Sequence, residues 1–187
     1  MSNPAKTVFF MDIARFAGWC EGPVGGKPVF GSVRLAPEGS DSPAVAWGLF
    51  KFVATRFQAF KPNVFVFEAP RDPRHMKKTS GPAIRTLIGL PMVAEAAAYG
   101  CGVLDIREAE ASSIRSHILP PRPKGAGRRE NGQLKQDVFR QIKALGHDVK
   151  NTDESDAVAG WLYACSIIDQ RIGVRTTPLF SDFGDDQ

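Results

Sequence analysis

Four acidic residues have the type and placement to do chemistry: Asp12, Glu68, Asp153 and Asp156. Asp12 closes the apolar run Thr-Val-Phe-Phe-Met-Asp, and Glu68 closes Val-Phe-Val-Phe-Glu. Asp153 and Asp156 open an apolar helix expected over about 157–168. A carboxylate at the end of a buried element is costly unless protonated, paired or metal-bound. Four in one place would repel each other, and divalent cations are the usual remedy. The chemistry implied is metal-dependent phosphoryl transfer. Being three apart on a helix, Asp153 and Asp156 share a face. If that first turn crosses the sheet edge where both strands end, the four acids line one pocket and are metal ligands for two ions. Ions roughly 3.5–4 Å apart are the usual arrangement for cutting a phosphodiester, one activating water and the other stabilising the leaving oxygen. All-oxygen ligands favour Mg²⁺, with Mn²⁺ able to substitute.

Each acid also has a structural reading. Asp153 is a good helix N-cap, and acids in a first turn favour the helix dipole. Asp12 is compatible with a loop residue accepting from a backbone amide. Glu68 is harder to explain away, because no other member of its run is polar.

The elements that must position these residues follow from pattern. Strands are expected at Thr7–Asp12, 16–20, 29–35, Val64–Glu68 and 103–107. Residues 21–28 form a Gly/Pro-rich turn. Helices are expected at 44–60, 83–99, 109–118, 133–145 and 153–171. Ser42 suits the first N-cap, with Pro43 at the first helical position. Trp47, Phe50, Val53, Ala54 and Phe57 are expected on one side of that helix, and Trp161 with them in the core. Gly89 and Pro91 predict a kink in the second helix, and Gly146 a C-cap after the fourth. Three strands, a helix, a strand, a helix, a strand and further helices predict an α/β layer structure. Its central sheet is mixed and five-stranded, with helices on both faces, in a ribonuclease H-like arrangement.

The 187 residues suit a single nuclease domain over 1–187, with 172–187 as a tail. Hydrophobic residues at 43% supply a core and exclude a disordered chain. No run of 18 or more apolar residues predicts a membrane span, and the start lacks the pattern of a secretory signal, so a cytoplasmic location is expected. Cys20, Cys101 and Cys165, and His75, His117 and His147, fit no zinc or disulfide spacing, and the cysteines read as buried thiols. Net charge is +4, and +7 without the acidic last seven residues, which favours a polyanionic partner.

At these residues the chain resembles the RuvC family of Holliday-junction resolvases. In that family a first strand ends in a catalytic Asp, with a Gly-Trp or Gly-Tyr pair later, here Asp12 and Gly18-Trp19. A later strand ends in a catalytic Glu, here Glu68. The last motif is an acid, two residues, then Asp-Ala and an apolar helix, here Asp153-Glu-Ser-Asp156-Ala-Val-Ala. Lys135 occupies the place of a lysine that shortly precedes that motif. The resemblance spans roughly residues 7–168. The family's Asp-Pro-Gly is replaced by Asp12-Ile-Ala, and the loop 119–131 is longer and more basic, as expected of a divergent, phage-type member. Sugar kinase-like ATPases share the strand-one Asp, but Asp12-Ile-Ala-Arg-Phe-Ala supplies no Gly-rich phosphate turn.

The resemblance implies an Mg²⁺-dependent endodeoxyribonuclease that resolves four-way junctions with two ions per site. Catalytic residues would be Asp12, Glu68, Asp153, Asp156 and Lys135, with Lys135 contacting the scissile phosphate. Arg71, Arg74, Lys77, Lys78, Arg122, Lys124, Arg128, Arg129 and Lys135 would bind DNA through its phosphates. Symmetric cutting of two opposed strands implies a homodimer. The helix 83–99, with Ala94, Ala96, Ala97 and Ala98, is the expected contact. The alternatives are a broader nuclease for branched DNA or RNA–DNA hybrids, a non-catalytic junction-binding protein, and an ATP-binding relative.

Overall fold

The computed structural model describes residues 5–70, 80–121 and 131–171. The expected tail, 172–187, lies outside them. The two apolar runs are its central strands. β1 (Thr7–Asp12) and β4 (Val64–Glu68) pair in parallel, from Val8 opposite Val64 to Met11 opposite Phe67. On one side of β1, β2 (Phe16–Pro23) and β3 (Val29–Arg34) add as antiparallel neighbours. On the other, β5 (Asp105–Ala109) runs parallel to β4. The order is β3-β2-β1-β4-β5, the mixed five-stranded ribonuclease H-like sheet that the element order predicts.

Strand alternation divides the core in two. Val8, Phe10, Cys20, Val64 and Val66 face one layer, covered by α3 (Ala111–Ile118), α4 (Asn131–Ala144) and α5 (Thr152–Ile168). Phe9, Met11, Phe65 and Phe67 face the other, covered by α1 (Ser42–Ala59) and α2 (Gly81–Gly100). This double cover is why β1 and β4 are apolar without alternation. α5 crosses β1 so closely that a Cβ at Gly160 would strike the Phe10 ring.

Several expected details differ. The cap of α1 is Asp41, whose Oδ1 accepts from the Ala44 N–H at 3.0 Å; Ser42 already lies in the helix. The buried stripe of α1 is Val45, Leu49, Val53 and Phe57. Trp47 lies two residues from both Val45 and Leu49, about 200° round the helix. It is therefore 58% exposed, stacked on Phe50 at 5.6 Å. Phe57 and Trp161 are core as expected. β2 continues to Pro23, through residues expected to be turn. β5 starts two residues late, because Gly102 at φ 77° and the Val103 N–H to Ala98 carbonyl bond close the preceding turn. α2 runs unbroken through Gly89 and Pro91. Gly146 does end α4's segment with φ 88°.

Candidate active site

In the parallel register Met11 stands opposite Phe67, so the next pair along is Asp12 and Glu68. Alternation puts both on the face of Val8, Phe10, Val64 and Val66, the face that α5 covers. The sheet therefore brings together two acids 56 positions apart.

The first turn of α5 reaches them because β2 leaves room. Gly18 is the register partner of Asp12, and a Cβ there would collide with the backbone carbonyl of Asp153. Trp19 points to the opposite face, stacked parallel to Phe9 at 6.3 Å. The Arg56 guanidinium lies 3.9 Å from the Trp19 ring centroid and grips Glu21 at 2.7 and 3.0 Å. The Gly-Trp pair thus seats α5 on one side of the sheet and anchors α1 on the other.

Asp153 does not cap this helix. Asn151 does, its Oδ1 accepting from the Glu154 N–H at 2.9 Å. Glu154 in turn accepts from the N–H of Lys150, the residue before the cap, at 2.7 Å, which holds the chain entering the helix. Asn151 Nδ2 also donates to Ser32 Oγ at 3.1 Å, tying the helix start to β3. Capping is thereby assigned to Asn151. Asp153 and Asp156 instead face Asp12, whose ionisation both of them disfavour.

Asp12 is half-buried, and its carboxyl is pushed up to about 7. Desolvation is the largest cause, followed by the charges of Glu68 and Asp156, with Asp153 adding less. Asp156 is raised as well, first by burial. Lys135, from α4, supplies positive charge to this group. Its Nζ is 3.2 Å from Asp156 Oδ2 and 3.8 Å from Asp153 Oδ1. Burial opposes that ammonium, but the charge and hydrogen bond of Asp156, with Asp12 and Asp153, outweigh it and raise Lys135. Arg115 on α3 also acts on Asp156, a contribution that the sequence pattern did not reveal.

Five expected residues therefore converge: Asp12, Glu68, Asp153, Asp156 and Lys135. The donor chemistry suits a hard divalent cation, because the charges of Glu68, Asp156 and Asp153 all act on Asp12, which ionises reluctantly without added positive charge. As the side chains stand, that charge comes from Lys135, and no three ligating side chains among the described residues are grouped closely enough to hold an ion. Arg71, Arg74, Lys77, Lys78, Arg122, Lys124, Arg128 and Arg129 lie outside the described residues.

The other reactive types lie apart. Cys20 and Cys165 are buried, with the Cys165 thiol raised to about 12 chiefly by burial. Cys101 is only half-buried, less than expected. His117 and His147 are lowered by burial and make edge contacts with Tyr163 and Phe30. No described helix is long and apolar enough to cross a membrane.

The sheet order and the helix layers define a ribonuclease H-like fold. Thermus thermophilus RuvC in complex with Holliday junction substrate superposes with a TM-score of 0.65 and 13% identity, over 87% of this chain and 95% of that one. A second Thermus thermophilus RuvC structure gives 0.60 and 15%, over 91% and 98%. The yeast mitochondrial Holliday junction resolvase Ydc2 gives 0.53 and 13%, over 94% and 86%. No protein-family model matches the sequence, and no curated protein matches it significantly. At such identities the likeness is one of fold, and in fold the chain is a divergent RuvC-like protein.

Proposed function

We propose that the protein is a structure-selective endodeoxyribonuclease that resolves four-way DNA junctions. The observation that carries this reading is the convergence of Asp12, Glu68, Asp153 and Asp156 at one end of a RuvC-type sheet, with Asp12 driven up to about 7 by its neighbours. Asp12, Glu68, Asp153 and Asp156 would hold Mg²⁺ or Mn²⁺, which when bound supplies an activated water and neutralises charge on the leaving oxygen. Lys135 sits within reach of the same point and would meet the scissile phosphate, stabilising charge that grows during cleavage. The segments 71–78 and 122–129, which follow Glu68 and precede Lys135 in sequence, carry the basic residues expected to meet phosphates.

Symmetric cutting needs a second copy. Of the alanines of α2, Ala94, Ala97 and Ala98 are core and Ala96 is exposed, so the contact would fall to other side chains of that helix. A better surface is the outer apolar side of α1 and α2, where Trp47, Phe50, Ile88 and Met92 are exposed. Between these helices lies a groove of about 550 Å³, lined by Ala46, Gly89, Leu90 and Val93 among others. We assign this face to the homodimer contact; Met92→Arg should shift sedimentation from dimer to monomer.

One observation favours a second reading. Lys135 occupies the acidic cluster as its own counter-ion, as it would in a protein that binds junctions without cutting them. Cleavage of a labelled mobile four-way junction with Mg²⁺ separates the two. Paired symmetric nicks, lost in Asp12→Asn and Glu68→Gln, support the resolvase. Tight binding with no nicks from any protein supports the binding module. Equal cutting of three-way or RNA–DNA hybrid substrates supports the broader nuclease.

A further inference from the structure

A second group of side chains stands at the edge of the acidic cluster. Phe16 opens β2 and is 41% exposed. It is two residues from Gly18, and so on the sheet face that Gly18 and Asp12 share. Two strand residues span about 7 Å, which is roughly two steps of stacked bases. The register sets Phe16 opposite Arg34, and the Arg34 guanidinium lies 5.9 Å from the ring centroid. Arg15 is adjacent. Its Nη1 donates to the Ser40 carbonyl at 2.7 Å, and its own carbonyl accepts from Leu35 N–H at 3.0 Å. These bonds fasten the start of β2 to the loop after β3. Beside the ring is a hollow of about 240 Å³, walled by Arg15, Phe16, Arg34, Glu38 and Val45 among others.

A single exposed phenylalanine needs no function. This one differs in place and company. It projects beyond the carboxylates, at the end where a bound strand would leave them. The Arg34 guanidinium stands by the ring and Arg15 lines the same hollow, while the acid in that lining, Glu38, is 93% exposed and 3.8 Å from Arg34, a weak competitor. An aromatic face flanked by fixed positive charge is what single-stranded nucleic acid uses, the base stacking on the ring while the cations meet phosphates.

We infer that Phe16, backed by Arg34 and Arg15, is a stacking platform for one unpaired nucleobase of the DNA strand that passes the acidic cluster. Phe16 is a positioning residue here, one that sets which bond reaches the acids. The inference rests on the proposed junction substrate. Unlike the four acids, it concerns the base beside the cut and not the phosphate cut.

The test places 2-aminopurine at successive positions on either side of the mapped nick, in junctions bound by the Asp12→Asn protein without Mg²⁺. Stacking on Phe16 should change the probe's fluorescence at one position only. Adding Phe16→Ala should abolish that change and weaken junction binding about five- to hundredfold. Phe16→Trp should preserve both, and Phe16→Leu should behave like Phe16→Ala. Thermal unfolding of each variant near that of the parent excludes misfolding, as the exposure of Phe16 leads one to expect. Undiminished fluorescence and affinity in Phe16→Ala overturn the platform while leaving the resolvase reading intact. Absence of any junction binding by the parent protein overturns both.

Discussion

Replacing Asp12 by asparagine should stabilise the metal-free protein, and more so as pH rises. The Asp12 carboxyl goes from 3.8, its ordinary value, to about 7 in the fold, chiefly by desolvation and the charge of Glu68. Such an acid favours folding least when ionised. Its penalty is absent below about pH 4, grows as the unfolded chain ionises, and is complete above about pH 7. At about 1.4 kcal/mol per unit, the penalty is about 2 kcal/mol at pH 5 and about 4 kcal/mol at pH 8. Burial of Val8, Phe10, Val64 and Val66 on the same face contributes roughly 1.5–3 kcal/mol each and outweighs it, so the strand ends still form. Asparagine keeps the shape and carries no charge. The stability gap between variant and parent should therefore widen by ~2 kcal/mol from pH 5 to pH 8. For a chain of this size that is about 4–8 °C of melting temperature. The assay is thermal unfolding of both proteins in EDTA at the two pH values, repeated with Mg²⁺. The ion should raise the parent at pH 8 and close the gap, because it binds the ionised form. A gap that is the same at pH 5 and pH 8 would refute the convergence of the four acids on Asp12.

Three further outcomes follow from the geometry. Lys135→Met should lower single-turnover cleavage by about a hundredfold while changing junction affinity little, since it removes one charge placed at the reacting phosphate. It should also push the Asp156 carboxyl higher still, readable in its side-chain NMR titration, because Lys135 is the largest influence now lowering it. Gly18→Ala should cost about 1–3 kcal/mol in urea unfolding and abolish cleavage, because the new methyl meets the Asp153 carbonyl and lifts α5 off β2. Asn151→Ala should cost about 1 kcal/mol through the lost cap, with the bond to Ser32 lost besides. Cleavage should fall with it, since the same turn carries Asp153 and Asp156.

Much of the site was legible because its members sit at element ends. Apolar runs closed by one acid, and a helix opened by two, need no tertiary information to be noticed. The Gly18-Trp19 pair was visible as a motif, but its reason was not: one residue receives the Asp153 carbonyl and the other stacks on Phe9, on opposite faces. The structural alternative for Asp153, a cap on α5, could not be decided in sequence because Asn151 and Asp153 are both competent caps, and only backbone geometry selects between them. Trp47 was misplaced because a helix whose residues are mostly apolar offers more than one buried stripe. Arg115 gave no signal, since a lone arginine on a short helix has no spacing to mark it.

By itself, then, the sequence determined which segments are buried on both faces, which acids end them, and hence a mixed five-stranded α/β sheet with acids at its strand ends. Those features are local, carried by periodicity and by the cost of ending an apolar run on a charge. The tertiary structure alone decided that Asp12 and Glu68 are neighbours on the α5 face, that Lys135 reaches Asp156, and that Phe16 and Arg34 flank the same edge. Each of these depends on strand register and on how closely a helix can approach the sheet. Both are settled by contacts between residues far apart in the chain, where sequence spacing carries no distance.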